Sequence, residues 1–476
     1  MTDEARQPFL KTLAFRWGVV IGAGLLVLLI PPPEGVTPAS WRLLAVFVGT
    51  MVGLVAQPLP GGAMVLLGVT TLILTRIVPI GQALGGYADP TVWLVLSAFF
   101  ISRAMIKTGL GRRIALHIVQ LIGHTSLGLG YALALSDGVL GMIIPSNSAR
   151  NGGIIFPITK SLAETYESTP GPTARRLGSF LMVLLYNTDV VVCAMFLTGQ
   201  ASNALIAGFA RDTAGIDLSY QAWATASLLP GLVSLALIPV LFYKLYPPEV
   251  RHTPAARDLA TRELGVMGPL TRAEKLMMMV FGIVLVLWLT TKFHGIDYAA
   301  VALLGVAVLL ISGVLEWNDV ISEKPAWDVF FWYGGLVQLA KLISESGIPR
   351  WFAQFTAGWI AGWEWWAALG AILLVYFYAH YAFASITAHA TAMFIPFLTV
   401  IIAAGTPPYL AVLLLAFFSN LCASLTHYGT TPGPIYFGAG YVPQTTWWKL
   451  GLYASFVNIP VWVIVGLFWW KVLGLF

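Results

Sequence analysis

The sequence predicts an all-α integral membrane protein, organised as one leading transmembrane helix and two inverted five-span repeats. Three observations carry this prediction. Of 476 residues, 58% are hydrophobic and only 10% are charged, with a mean hydropathy of +0.81; soluble domains carry roughly 25% charged residues. The few charges are clustered, so Gln221 to Tyr243, Leu450 to Trp470 and Ala390 to Thr426 contain no Asp, Glu, Lys or Arg. A helix needs about 20 apolar residues to cross a bilayer, whereas a barrel would show alternating strands of about ten residues. Finally, short segments recur downstream at a nearly constant offset.

Taken in order, residues 1–35 form the expected leading helix. Arg6, Lys11 and Arg16 precede an apolar run that ends at Pro31-Pro32-Pro33, and no small-residue cleavage pattern follows, so it does not read as a removable signal. The first repeat is placed at 36–246, with candidate spans near 41–57, 61–78, 91–106, 114–134 and 221–245, an interrupted hairpin at 135–160 and a broken helix at 178–210. The second repeat, 276–476, has spans near 276–292, 297–315, 327–344, 364–380 and 450–473, a hairpin at 380–403 and a broken helix at 408–436. Between them lies a polar linker, 247–275, rich in Arg; the excess of basic residues puts it and the N-terminus in the cytoplasm.

The repeat rests on four correspondences. Leu66-Leu67-Gly68-Val69 recurs as Leu303-Leu304-Gly305-Val306, and Lys107-Thr108-Gly109-Leu110 as Glu345-Ser346-Gly347-Ile348. Ser146-Asn147-Ser148-Ala149-Arg150 recurs as Ser385-Ile386-Thr387-Ala388-His389, and Gly199 as Gly429, the offsets being 237, 238, 239 and 230. An odd number of spans per repeat places the two in opposite orientations, a recurring transporter plan.

Two of these segments carry candidate chemistry. Ser146, Asn147 and Ser148, like Ser385 and Thr387, are small polar residues inside apolar pieces. Ser and Asn cap helices, and the free N–H groups of a helix start attract anions. Re-entrant hairpins with these residues at their tips would aim N–H groups and dipoles at an anionic substrate. Without a ligand, the same residues would simply make a tight helix–helix contact. Arg150 and His389 stand at equivalent positions, and two cationic groups converging on one site would suit a substrate with two carboxylates. The rival reading pairs Arg150 with Asp137 or Asp189 and makes His389 a hydrogen-bonded core residue.

A third constellation comprises Thr198 to Asn203 and its partner Thr426 to Pro434, where Gly199, Asn203, Thr430, Thr431 and Pro432 would line a helix break with freed backbone groups, or else mark a plain kink. Arg103, Lys107, Arg112 and Arg113 read as anchors of an interfacial helix. Cys193 and Cys422 are far apart, and His117, His124, His252 and His294 lack metal-ligand spacing, so no metal is expected. The net charge of +5 lies in loops and does not suggest nucleic acid. No Gly-Lys-Ser/Thr phosphate loop is present to drive transport with ATP, and no acid–base cluster marks the spans as an enzyme.

At these motifs the chain resembles the divalent anion:sodium symporter family, particularly its citrate/succinate antiporters and plastid 2-oxoglutarate/malate translocators. The carrying residues are Pro145 to Pro157, His380 to His389, Leu425 to Gly438 and Trp93 to Arg113. The resemblance implies about 11 transmembrane helices plus two re-entrant hairpins, a scaffold that makes a homodimer among membrane lipids, and an elevator movement. It implies small dicarboxylate substrates: 2-oxoglutarate, malate, succinate, fumarate or citrate. In sodium-coupled members, each tip and its facing broken helix hold sodium. Here Ile386 stands where the first tip has Asn147, and Arg150 and His389 add cations, which favours obligate exchange and leaves no cofactor, sodium being disfavoured. The expected location is the bacterial inner membrane.

Overall fold

The computed structural model describes residues 12–357 and 362–476; Arg6 and Lys11 lie outside them. Helix α1 (Leu13–Leu29) starts at a Thr12 cap and packs on α2 (Pro38–Ala56). After α2 come α3 (Gly61–Leu74), α4 (Pro90–Thr108) and the short α5 (Leu110–Ile122). Next is a hairpin: α6 (Ser126–Gly141), a tip at 142–146, and α7 over residues 147–165, a helix with a π-helical stretch at Asn151–Ile155. A broken helix follows, α8 (Gly178–Met195) and α9 (Ser202–Ala214), and then α10 (Tyr220–Leu245).

After α11 (Pro254–Met267), the order recurs. Helices α12 (Arg272–Leu289), α13 (Tyr298–Ile311) and α14 (Lys324–Glu345) precede a short α15 (Ile348–Ala357). A second hairpin has arms α16 (Trp365–Tyr378) and α17 (Ile386–Ala403); a second broken helix comprises α18 (Pro408–Leu421) and α19 (Pro432–Gly438), and α20 (Gln444–Val472) closes the chain. Among the described residues, eight helices have the length and composition to cross a membrane, and shorter apolar ones stand beside them. This is a multi-pass integral membrane protein.

Two boundaries differ from expectation. The span expected near 114–134 is two elements, α5 and α6, because a Cβ on Gly123 would lie 2.5 Å from the Val119 carbonyl, and Thr125 caps a new helix by accepting from the Gly128 N–H at 3.0 Å. The first hairpin therefore begins at Ser126, and the piece expected as a separate span near 364–380 is the first arm of the second hairpin.

All 18 residues of α8 are buried. It packs against α18, α10 and α6, so both broken helices share one centre. Helices α2, α3, α4, α13 and α14 pack on one another as a separate group, and α9 and α17 contact it through α14 and α2. The linker helix α11 lies along α5, where the buried Arg113 holds Glu274 at 2.6 Å.

Candidate functional site

Both tips are built by the same local chemistry. Ser146, extended at φ −120°, ψ 99°, accepts from the Ala149 N–H at 3.1 Å; Ser385, at φ −160°, ψ 149°, accepts from the Ala388 N–H at 3.0 Å. Each serine caps one N–H, while the N–H groups of Asn147 and Ser148, and of Ile386 and Thr387, lie in the first turn before intrahelical bonding begins.

The helix breaks are equally specific. A Cβ on Gly199 would lie 2.6 Å from the Cys193 carbonyl, and one on Gly429 would lie 2.5 Å from the Ala423 carbonyl. Only glycine lets the chain fold back so closely over the end of α8 or α18. Asn203 donates to the Cys193 and Phe196 carbonyls at 2.7 and 2.8 Å, and Tyr186 donates to Ala423 and Thr426 at 2.6 and 2.9 Å. These bonds satisfy carbonyls that a helix end leaves open.

Tips and breaks meet in a crossed pattern. The Asn147 amide donates to Thr430 Oγ1 at 2.9 Å and accepts from Thr431 Oγ1 at 3.0 Å, so the first tip bonds the second break. Thr387 shares a hydroxyl–hydroxyl bond with Ser202, so the second tip bonds the first break. The four segments wall a cavity of about 290 Å³, where Ser146, Asn147, Ser148, Gln200, Ser202, Ser385, Thr387, Thr430 and Thr431 face Gln57, Phe99, Asp328 and Trp332 of the other helix group. That volume is at the small end of ligand pockets, about 300–1,000 Å³.

Seven of the twelve expected site residues line this cavity: Ser146, Asn147, Ser148, Ser385, Thr387, Thr430 and Thr431. Gly199, Asn203 and Pro432 do not; the first two shape the first break as described, and Pro432 begins α19. The expectation that Arg150 and His389 reach the substrate is corrected, because both side chains are fully buried behind the tips. Arg150 donates through Nε to Asp137 Oδ1 at 2.8 Å and through Nη2 to Asp189 Oδ1 at 3.0 Å. Its Nη1 donates to the Ile144 and Gly199 carbonyls at 2.8 and 2.6 Å. A buried guanidinium needs a counter-charge, and Asp137 and Asp189 supply it. His389 is enclosed by Tyr376, Phe383 and His380, with ring centroids 4.4, 5.1 and 5.0 Å away.

Among the described residues lining the cavity there is no Lys, Arg or His, and one carboxylate, Asp328. The sequence reading missed Asp328, although it is the one acidic residue inside the span expected near 327–344, and an ionisable residue in a span is itself a signal. It also left out Ser202, which stood within the third constellation.

With this geometry in place, comparison with known proteins is informative. A family model described as the sodium:sulfate symporter transmembrane region matches residues 11–476. The chain belongs to that family. It is the family its motifs resemble, and its members are membrane transporters, not enzymes. Among relatives, this family member is 47% identical over 474 residues to YflS of Bacillus subtilis (strain 168), covering 99% of each chain. It is 44% identical over 458 residues to the chloroplastic dicarboxylate transporter 1 of Arabidopsis thaliana, covering 96% of this chain and 82% of the plant protein. It is 34% identical over 470 residues to the L-tartrate/succinate antiporter of Escherichia coli O6:K15:H31 (strain 536 / UPEC), covering 94% and 96%. A solved structure, the YdaH transporter of Alcanivorax borkumensis, matches with a TM-score of 0.55 at 13% identity, covering 83% of this chain and 88% of that one, and shows the fold alone.

Proposed function

We propose that this chain is a secondary active transporter of C4/C5 dicarboxylates that works by sodium-independent exchange. The observation that carries the reading is the pair of capped helix N-termini meeting in one cavity. Each offers free N–H groups, a helix dipole and hydroxyls, and an anion with a carboxylate at either end would occupy both. Ser146, Asn147, Ser148, Ser385, Thr387, Thr430 and Thr431 make the contacts. Relatives named as a dicarboxylate transporter and an L-tartrate/succinate antiporter support the substrate class and the exchange.

Sodium independence is supported by what occupies the first break. The carbonyls of Ile144 and Gly199, freed by tip and break, already accept from Arg150, so an ion there would have to compete with a fixed guanidinium. At the second tip, Ile386 supplies no side-chain oxygen. In this reading the repeats are inverted, the hairpins are re-entrant, and the broken helices and hairpins move as an elevator against the α2–α3–α4–α13–α14 group. The protein works as a homodimer in the bacterial inner membrane, with the N-terminus in the cytoplasm.

Counterflow into proteoliposomes tests this. Labelled dicarboxylate should enter only vesicles preloaded with dicarboxylate, equally in sodium and choline buffers. Uptake that requires sodium but no internal substrate would instead establish symport, the reading favoured by the family's description.

A further inference from the structure

Behind the second tip, three donor side chains converge. His380, His389 and Cys422 are all fully buried, and one ligand atom from each lies within 4.8 Å of the others. Among the described residues this is the one cluster of three or more His, Cys, Asp or Glu side chains with metal-binding spacing. His389 Nδ1 is 3.1 Å from His380 Nδ1 and 3.3 Å from Cys422 Sγ.

The protonation pattern follows from one hydrogen bond. His380 Nε2 lies 3.0 Å from the Gly429 carbonyl, which can only accept, so the proton is on Nε2. A neutral His380 therefore turns the lone pair of Nδ1 toward His389. This is also how protein metal sites orient a histidine ligand, through a carbonyl bonded to the far ring nitrogen. Ligands on a tetrahedral zinc ion, with bonds of about 2.0–2.1 Å to nitrogen and 2.3 Å to sulfur, stand roughly 3.3–3.6 Å apart. The two spacings from His389 Nδ1 require only small outward shifts, and the third pair lies within 4.8 Å.

The first half of the chain supplies the contrast. Cys193, which precedes Cys422 by 229 residues, stands 3.7 Å from the Arg150 guanidinium, and that guanidinium also holds the Gly199 carbonyl. There a permanent cation closes the gap between tip, broken helix and break. In the second half, the counterparts of Arg150, Cys193 and Gly199 are His389, Cys422 and Gly429, and no permanent cation stands between them. The donors are two imidazoles and a thiol, the set that suits zinc.

We propose that His380, His389 and Cys422 form a zinc(II) site that fastens the second hairpin tip to the end of α18. Binding replaces the thiol proton of Cys422 with the metal and releases it to solvent, while the proton on His389 Nδ1 moves to Nε2 so that Nδ1 can ligate. Access is short, because Ala388, adjacent to His389, lines the central cavity.

The test uses the full-length transporter, purified with chelator and then titrated with zinc and, as a spectroscopic probe, with cobalt(II). Metal analysis after gel filtration should find one zinc per chain, and cobalt should produce a thiolate-to-metal charge-transfer band with tetrahedral visible bands. Cys422→Ser should lose the thiolate band, His380→Gln should lose retained zinc, and Cys193→Ser should keep both. Wild-type protein that retains no zinc, or shows no thiolate band with cobalt, would overturn the site whatever the variants do. So would a band that disappears with Cys193 instead of Cys422.

Discussion

At the scale of single residues, Arg150 has the largest predicted effect. It is a fully buried cation shared by Asp137 and Asp189, whose Oδ2 atoms have no other partner. Removing one member of such a group leaves charge stranded in a dry interior, at a cost of about 3–5 kcal/mol. Arg150→Ala should therefore fail as a protein before it fails as a transporter, with a large drop in melting temperature measured by scanning fluorimetry of the purified protein. An Arg150→Ala variant that melts like wild type would show that the pairing is not structural. By contrast, Asn147→Ala removes a cavity-wall amide whose partners are hydroxyls, so it should lose most of its exchange while melting within a few degrees of wild type. The tip serines were legible because small polar residues stand out in an apolar run. The partners of Arg150 were legible only as a rival reading: Asp137 and Asp189 lie 13 and 39 residues away, and only tertiary packing decides that the guanidinium turns inward to them, away from the cavity. The cluster of His380, His389 and Cys422 was hidden for the same reason, since nothing local links Cys422 to the other two.

At the scale of elements, each functional feature is a helix that stops and restarts. The sequence showed where, because Gly199, Gly429 and the Ser-rich tips are poor residues for a continuous span, and the downstream recurrence displayed each twice. It did not show that Gly123 would break the span expected at 114–134, because one glycine in an apolar run is tolerated as often as it interrupts. The breaks make a sharp prediction. Gly199→Ala and Gly429→Ala each place a methyl within 3 Å of a backbone carbonyl, so the break must open, and both should abolish counterflow even where the protein still elutes as a folded species. Ser385→Ala removes one cap, worth about 1 kcal/mol, and should lower the melting temperature only slightly while weakening substrate binding. A Ser385→Ala variant with an unchanged half-saturation concentration would remove that tip from the site.

At the scale of the whole molecule, the cavity lies between two helix groups that supply opposite electrical character. Hairpins and broken helices bring N–H groups and hydroxyls, whereas α14 brings Asp328, whose Oδ1 lies at the N-terminal end of α3 beside Gly62. A carboxylate several ångströms from a bound anion opposes it by about 1–2 kcal/mol at the effective dielectric of a partly wet site. Asp328→Asn should thus lower the half-saturation concentration for dicarboxylate by roughly fivefold to thirtyfold, measured as initial exchange rate against substrate concentration. No change, or an increase, would mean that Asp328 does not sense the anion.

The crossed bonds also have a consequence for how the protein is made. Asn147 is synthesised long before Thr430, its partner 283 residues later. At about 5–20 residues per second, the first tip waits roughly a quarter of a minute to a minute on the ribosome with its amide unmatched. Until the second break arrives, that amide must be held by water or by the insertion machinery, since lipid offers it nothing. The proposed anion site is therefore among the last parts of the molecule to be assembled, and a chain that ends before Thr430 has most of its helices and lacks the second break that bonds the first tip.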